Sequence, residues 1–209
     1  MFSVCQNCAN WHVKREIDPT GPFAICPSCG FKQKFIQLPL FSITGPSGAG
    51  KSTLTAVLMH DLPEFVLLEG DIFWRSEFNK PTDNYIDFRN VCLRAAKNIN
   101  QAGRPTVLAG TSTPGQYEAC PEFCYFSEAH YLALVCDDEM LAERLRQRPS
   151  WRKSNNDQFI TNMVNYNQWF KDNTHIVEPA VTLLDTTNLT VEETAVKVKD
   201  WLYGRYPRN

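Results

Sequence analysis

The sequence contains no apolar run approaching the roughly 18 residues that a membrane-spanning helix needs. Its start, Met1 to Cys8, has neither the basic nor the apolar stretch of a secretory signal. It also lacks a charge excess of either sign, with 21 Lys and Arg against 23 Asp and Glu and a formal net charge of −2. That balance argues against a protein that coats nucleic acid by bulk charge, because such domains are clearly basic. Internal repeats and low-complexity tracts are missing too. With 43% hydrophobic and 21% charged residues, the composition excludes a disordered main body. These absences predict a soluble, cytoplasmic protein of 209 residues with one good core and a small appendage.

Cysteine is what the sequence has in excess. Of eight, the first four form Cys5-x2-Cys8 and Cys26-x2-Cys29, with seventeen residues between the pairs. This spacing fits two knuckles that hold one structural Zn²⁺ through four thiolates. Gly30 follows the second knuckle and supplies the positive φ such a turn needs. Two disulfides are the alternative for these thiols and require an oxidising compartment, which nothing in the N-terminus suggests. His12 is superfluous once four cysteines close the site. Residues 1–37 therefore read as a zinc ribbon of net charge +2, too short to fold without its metal. Cys92, Cys120, Cys124 and Cys136 read as small buried hydrophobes, since the spacing of Cys120 and Cys124 is not a knuckle.

From Leu38 the pattern changes. The apolar run Leu40-Phe41-Ser42-Ile43 enters Gly45-Pro46-Ser47-Gly48-Ala49-Gly50-Lys51-Ser52-Thr53, and a helical stretch follows to His60. Further strands are predicted at 65–69, 105–109, 130–135 and 180–184. Helical stripes run through Phe88, Cys92, Ala95 and Ile99, and through Phe159, Met163, Tyr166 and Phe170. Another helix starts at Asp137, acidic in its first turn and basic at its end. Thr190 and Glu193 form a capping box that opens the last helix, with Val191, Ala195, Val198 and Trp201 inward. Apolar strands alternating with helices predict a parallel, doubly wound five-stranded α/β sheet over residues 38–209.

Gly45 to Ser52 matches the phosphate-binding pattern G-x4-G-K-[ST] at every fixed position. Its glycines let consecutive backbone N–H groups and a helix N-terminus face an anion. Gly45, Ser47, Gly48, Ala49, Gly50, Lys51, Ser52 and Thr53 are the candidate nucleotide-binding residues, with Lys51 reaching the β and γ phosphates and Ser52 ligating Mg²⁺. ATP or GTP binding follows from this loop; the phosphate acceptor does not.

The loop resembles that of the small P-loop kinases that phosphorylate nucleosides, nucleotides, shikimate or gluconate, and the resemblance extends over most of residues 38–205. By that resemblance Asp71, after the second strand, becomes the candidate base and an indirect Mg²⁺ ligand. Phe73, Trp74 and Arg75 would line the acceptor pocket, with Glu69 a weaker alternative to Asp71. Other readings remain open: Asp71 as a helix N-cap, and Phe73 and Trp74 as core. The run Arg144–Lys153 packs five bases and no acid into ten residues, where such kinases place a lid. Pro149 would hinge it, Arg148 and Arg152 would meet the transferring phosphoryl, Arg144 is a third candidate, and Arg146 reads as solvated. Asp185 to Asn188 would border the adenine. One departure is plain: the strand at 105–109 runs into Gly110-Thr111-Ser112 with no acidic residue, which weakens a motor reading more than a kinase reading. Thr111 and Ser112 are then candidates to contact acceptor or water.

The leading expectation is thus a MgATP-dependent kinase acting on a small hydroxyl compound, a nucleoside foremost, with no membrane partner. Its alternative makes the ribbon a nucleic-acid-binding module, through Trp11, His12, Lys14 and Arg15, ahead of an NTP-driven switch or an end-processing kinase. A third use of the ribbon is homodimerisation or shaping of the acceptor pocket.

Overall fold

The computed structural model describes residues 3–152 and 154–206; Lys153, the last base of the basic run, lies outside them, as do residues 1, 2 and 207–209. Short strands β1 (Glu16–Asp18), β2 (Phe23–Ile25) and β3 (Lys32–Lys34) form an antiparallel sheet in the order β1-β2-β3. The Asp18 carboxylate accepts from the Thr20 backbone and hydroxyl, closing the turn between β1 and β2, and pairs with Lys32 at 2.9 Å. This small sheet buries little of its own. Its apolar residues Ala24 and Phe35 pack on Tyr125, which belongs to the following part of the chain. Tyr125 meets the edge of Phe35 at 5.7 Å and donates its hydroxyl to the Val13 carbonyl at 3.2 Å. The Gln101 amide brackets Ile36, accepting from its N–H at 2.8 Å and donating to its carbonyl at 3.0 Å.

The second sheet is five-stranded and entirely parallel. Its strands are β4 (Leu40–Thr44), β5 (Val66–Glu69), β6 (Thr106–Ala109), β7 (Ala129–Val135) and β8 (Val181–Asp185), in the order β5-β6-β4-β7-β8. Helices α1 (Lys51–Leu58), α2 (Ile86–Asn100), α3 (Asp138–Arg146), α4 (Asp157–Asn173) and α5 (Val191–Arg205) complete the predicted doubly wound fold. Alternation along β4 sends Phe41 and Ile43 to one face, where Leu54, Leu58, Val198 and Leu202 of α1 and α5 cover them. Leu40 faces the other side, with Leu93 and Ala96 of α2 and Phe170 of α4. Both sheet faces are thus dry, which is why the strands read as continuous apolar runs. No described helix is long and apolar enough to cross a membrane.

Helix ends follow the expected chemistry. Asp137 caps α3 by accepting from the Met140 N–H at 3.0 Å. Thr190 and Glu193 exchange side-chain and backbone hydrogen bonds at the start of α5. Val191, expected inward, is exposed, and Thr194 takes the buried position instead. Cys92, Cys120 and Cys136 are buried and Cys124 is half-buried, as small core residues.

The inward face of α2 departs from the apolar stripe expected of it. It is Arg89, Cys92, Leu93, Ala96, Lys97 and Asn100, while Ala95 and Ile99 are only half-buried. Lys97 survives inside because it finds its partners, whereas Arg89 and the Asn100 amide nitrogen keep buried N–H groups without one among the described residues. Lys97 forms a short ion pair with Glu122, both fully buried, and its ammonium lies 4.1 Å from the Tyr125 ring centre. Arg94 adds a second bond to Glu122 at 2.8 Å, and Asn100 accepts from the Thr106 N–H at 3.0 Å. Removing one member of a buried pair strands the other charge. Glu122→Gln should therefore cost about 3 kcal/mol or more of unfolding free energy, read from urea midpoints, and adding Lys97→Met should recover most of it.

Candidate functional site

The turn from β4 into α1 runs through three glycines in the left-handed region, with φ of 127° at Gly45, 95° at Gly48 and 94° at Gly50. At Gly45 a side chain is excluded outright, since a Cβ there would lie 2.2 Å from the Leu134 carbonyl oxygen of β7. Gly50 precedes α1, so the unpaired N–H groups of the first helical turn open toward the loop. The Lys51 ammonium folds back and donates to the carbonyls of Gly45 and Pro46 at 2.8 and 2.9 Å. Burial pushes its pKa down from 10.5 to about 8, against the raising effect of Asp71 and with a further lowering by Arg148.

Three cavities meet along the ends of the parallel strands, where ligands of open α/β sheets bind. The central one, about 330 Å³, holds Ser47, Lys51 and Ser52 on one side, Asp71 on another, and Arg148 and Arg152 above. A smaller one of about 220 Å³ continues past Gly48 and Thr53 to Leu134, Thr186 and Leu189; it shares Arg144 with the first. The third, about 470 Å³, is lined mainly by aromatic and amide side chains, among them Trp74, Tyr85, Phe88 and Tyr166. It shares Ser47, Asp71 and Thr111 with the central cavity, so Asp71 stands at their junction.

Asp71 sits within the short helical turn Gly70–Phe73 that follows β5. The residue before that turn is Glu69 and no side-chain cap bond is made, so the carboxylate is not committed to capping. Trp74 lines the third cavity, 45% exposed, with its ring 5.2 Å from Phe88. Phe73 is half-buried against the core instead. Arg75 does not reach the cavity: it points to solvent and lies 3.8 Å from Glu77, because the backbone is extended at 74 and 75 and turns its side chain outward. Arg148 is half-buried, donates weakly to Ser154 at 3.5 Å, and has its pKa lowered by burial and by Arg152. Arg152 is exposed with its guanidinium 5.3 Å from the Trp151 ring. Arg146 pairs with Glu143 on the surface, as a solvated residue should.

Thr111 lines both larger cavities, but Ser112 is buried and serves the fold. Its N–H donates to Thr44 Oγ1, its carbonyl accepts from the same hydroxyl, and it thereby joins β4 to the end of β6. Glu69 and Asp71 are the acidic residues on the central cavity, and β6 contributes none. Oxygen donors suit Mg²⁺, and the residues fit such an ion: the Ser52 hydroxyl with Asp71 or Glu69 through water.

Several cavity residues were not foreseen. Phe159, Met163 and Tyr166 showed only a helical stripe in the sequence; Met163 Sδ accepts the Ser47 N–H at 3.4 Å, tying α4 to the phosphate loop. Arg89 and Gln116 carry no motif. No sequence signal marked them; Asn84 and Tyr85, adjacent on the cavity wall, hold φ of 57° and 55°, a strained backbone that only the tertiary structure reveals.

At the other end of the molecule the four predicted thiols converge. The sulfurs of Cys5, Cys8, Cys26 and Cys29 lie within 4.8 Å of one another, with Cys5–Cys29 and Cys8–Cys26 both at 3.7 Å. These distances are too long for disulfides. A tetrahedron with zinc–sulfur bonds of about 2.3 Å has edges of about 3.8 Å, so the donor set fits zinc. The proposed basic surface is smaller than the sequence suggested. Trp11 and Lys14 are exposed, but Arg15 is buried and donates to Gln33 at 3.3 Å.

A parallel sheet in this order, with a glycine loop and lysine after its central strand, is the fold of a P-loop kinase. Residues 40–169 match the family model described as an AAA domain, and the chain belongs to that family. Among solved structures, a sugar kinase from Janibacter sp. HTCC2649 superposes with a TM-score of 0.61 at 15% identity, covering 79% of this chain and 94% of that one. A putative kinase from Chloroflexus aurantiacus gives 0.53 at 15%, covering 81% and 98%. A gluconokinase from Sinorhizobium meliloti gives 0.50 at 17%, covering 83% and 99%. No curated protein matches the chain in sequence.

Two measurements probe these sites. The purified chain should carry one zinc per molecule by elemental analysis, and Cys26→Ser should lower that content and loosen the Tyr125 environment seen by near-UV dichroism. Lys51 gives a pH signature. Its burial penalty is fully present below its folded pKa of about 8 and is relieved as pH rises from there toward 10.5. A bound phosphate chain restores the ammonium, so ATP binding at about pH 9 should take up a proton and at about pH 6 should not. Calorimetry in buffers of different ionisation enthalpy reads this directly.

Proposed function

We propose that the chain is an ATP-dependent kinase that moves the γ-phosphate of MgATP to a hydroxyl of a small molecule, with a nucleoside the acceptor class the notably aromatic cavity suits best. The observation that carries this reading is the position of Asp71 where the phosphate cavity opens into the aromatic one. A carboxylate there can accept the acceptor's hydroxyl proton while the oxygen attacks phosphorus and the bond to the ADP leaving oxygen breaks.

The adenine would lie toward Leu134, Thr186 and Leu189, and the phosphates on the Gly45–Ser52 loop. Lys51 would exchange its two loop carbonyls for phosphate oxygens, and Arg148 and Arg152 would neutralise charge on the moving group. The Ser52 hydroxyl would hold Mg²⁺, which when bound would neutralise phosphate charge. Arg148 and Arg152 follow α3 around Pro149, a segment suited to closing over the site and excluding water. The ribbon is better read as a structural element packed on Tyr125 and bonded to Gln101 at the end of α2 than as a nucleic-acid reader, given the burial of Arg15.

Lys51→Ala should abolish phosphotransfer without loss of fold or zinc. Asp71→Asn should cut turnover by about a hundredfold or more while leaving ATP affinity within a fewfold. Full turnover in the lysine variant refutes the kinase reading; equal losses in both quantities for the aspartate variant make Asp71 structural.

A further inference from the structure

Arg89 lies in the first turns of α2, is only 7% exposed, and lines the aromatic cavity. Its Nη2 donates to Gln116 Oε1, but its Nε and Nη1 are buried without a hydrogen-bond partner among the described residues. The salt bridges of the described residues include none to Arg89, although Lys97, eight residues further along the same helix face, has Glu122. Gln116 cannot make up the deficit. Its carbonyl oxygen already accepts from both Arg89 and the Thr113 N–H, and its amide nitrogen donates to Asn84. What these contacts achieve is orientation: Asn84, Gln116 and Arg89 form a chain that holds the guanidinium at the cavity wall. Arg15 also has two unpartnered nitrogens, but it lines none of the three cavities.

The Tyr85 ring centre, 5.8 Å from the guanidinium carbon, gives the charge a cation–π contact, but a guanidinium stays charged, and a buried one that faces no anion is among the most costly features a fold can carry. A neutral ligand edge would satisfy the N–H groups and leave the charge. We infer that Arg89, positioned by Gln116, is the specificity-determining residue of the acceptor cavity, and that the acceptor is a ring-bearing hydroxyl compound with an anionic oxygen group, carboxylate or phosphate, seated on Arg89. This rests on the kinase reading for the role of the hydroxyl, and it narrows the acceptor from nucleosides in general to anionic ones or their aromatic equivalents. The surrounding rings of Trp74, Tyr85 and Phe88 provide the planar contacts, and Asp71 shares the cavity to meet the hydroxyl.

The test uses matched compounds that differ in one anionic group: orotidine and uridine, para-(hydroxymethyl)benzoate and para-methylbenzyl alcohol, and uridine 3′-phosphate with uridine. Phosphate gain is read by mass. The wild-type protein should favour the anionic member of at least one pair by about tenfold or more in kcat/KM, the worth of a charge-assisted bond. The carboxylate and phosphate arms tell which group it is. Arg89→Met should collapse that ratio toward unity, and Arg89→Lys, which keeps the charge without the fork, should retain part of it. If Arg89→Met does not fold, the lysine variant and Gln116→Leu carry the test, each expected to reduce the ratio. No preference in any pair, or equal losses for both members in every variant, overturns the inference while leaving the kinase reading intact. If no compound gains phosphate, the kinase reading fails for these acceptors, and calorimetric binding of orotidine and para-(hydroxymethyl)benzoate without ATP decides separately. Binding that Arg89→Met abolishes upholds the anion subsite, and its absence rejects it.

Discussion

A phosphate chain must be surrounded by N–H groups that are already pointing at it, and the rest of this molecule is arranged around that requirement. Backbone donors can converge only where the chain runs through left-handed conformations, which places glycine at 45, 48 and 50 and leaves no room for a side chain at the first. The loop must be held rigidly from below, and β4 does this as the central strand, hydrogen-bonded to β6 and β7 and covered on both faces. Lys51 is stored against the loop's own carbonyls with a depressed pKa. Its charge is thereby kept close to where a phosphate would call for it, and the loop's oxygens are kept from repelling the anion.

How much of this was legible in the sequence depends on the range of the physics involved. Glycine conformations, knuckle spacing and the capping box at Thr190 are local, and a few adjacent residues specify each. The alternation of apolar strands and helices gave the sheet for the same reason. The acceptor side was not local. Arg89 and Lys97 look like solvent-facing charges on a helix, and only the arrival of Gln116 and Glu122 from a distant segment makes the inward face polar. Arg75 looked equally suitable for the cavity, yet one extended stretch of backbone turned it to solvent beside Glu77. Ser112 failed as a contact residue because Thr44, sixty-eight positions earlier, engages its backbone on both sides.

The small sheet beside the four thiols and the helical wall of the aromatic cavity share parts. Tyr125 completes the apolar face of the first and covers the Lys97 ammonium of α2, while Arg89 on the same helix faces the cavity. Glu122, at 0% exposure, joins Lys97 and Arg94 just before Tyr125. A cysteine-rich segment with almost no core of its own thus borrows one from the larger sheet's surroundings, and α2 gains a fixed end from which its opposite end projects toward the aromatic cavity.

The acids of the central cavity, Glu69 and Asp71, come from the end of β5, at the edge of the sheet, and from the turn that follows it, whereas the neighbouring strand β6 ends at Ala109 and runs on into Gly110 and Thr111. A nucleotide on the loop therefore has one small acidic patch to share between its counter-ion and whatever attacks it. With Glu69 and Asp71 shared in this way, a water molecule finds no carboxylate reserved for holding and aiming it, whereas a bulky acceptor would be held by the walls of the aromatic cavity. Economy follows from this asymmetry: in the reading developed above, the high-energy bond is protected by the lack of a dedicated partner for solvent, and the arrival of a well-fitted acceptor is what commits it to being spent.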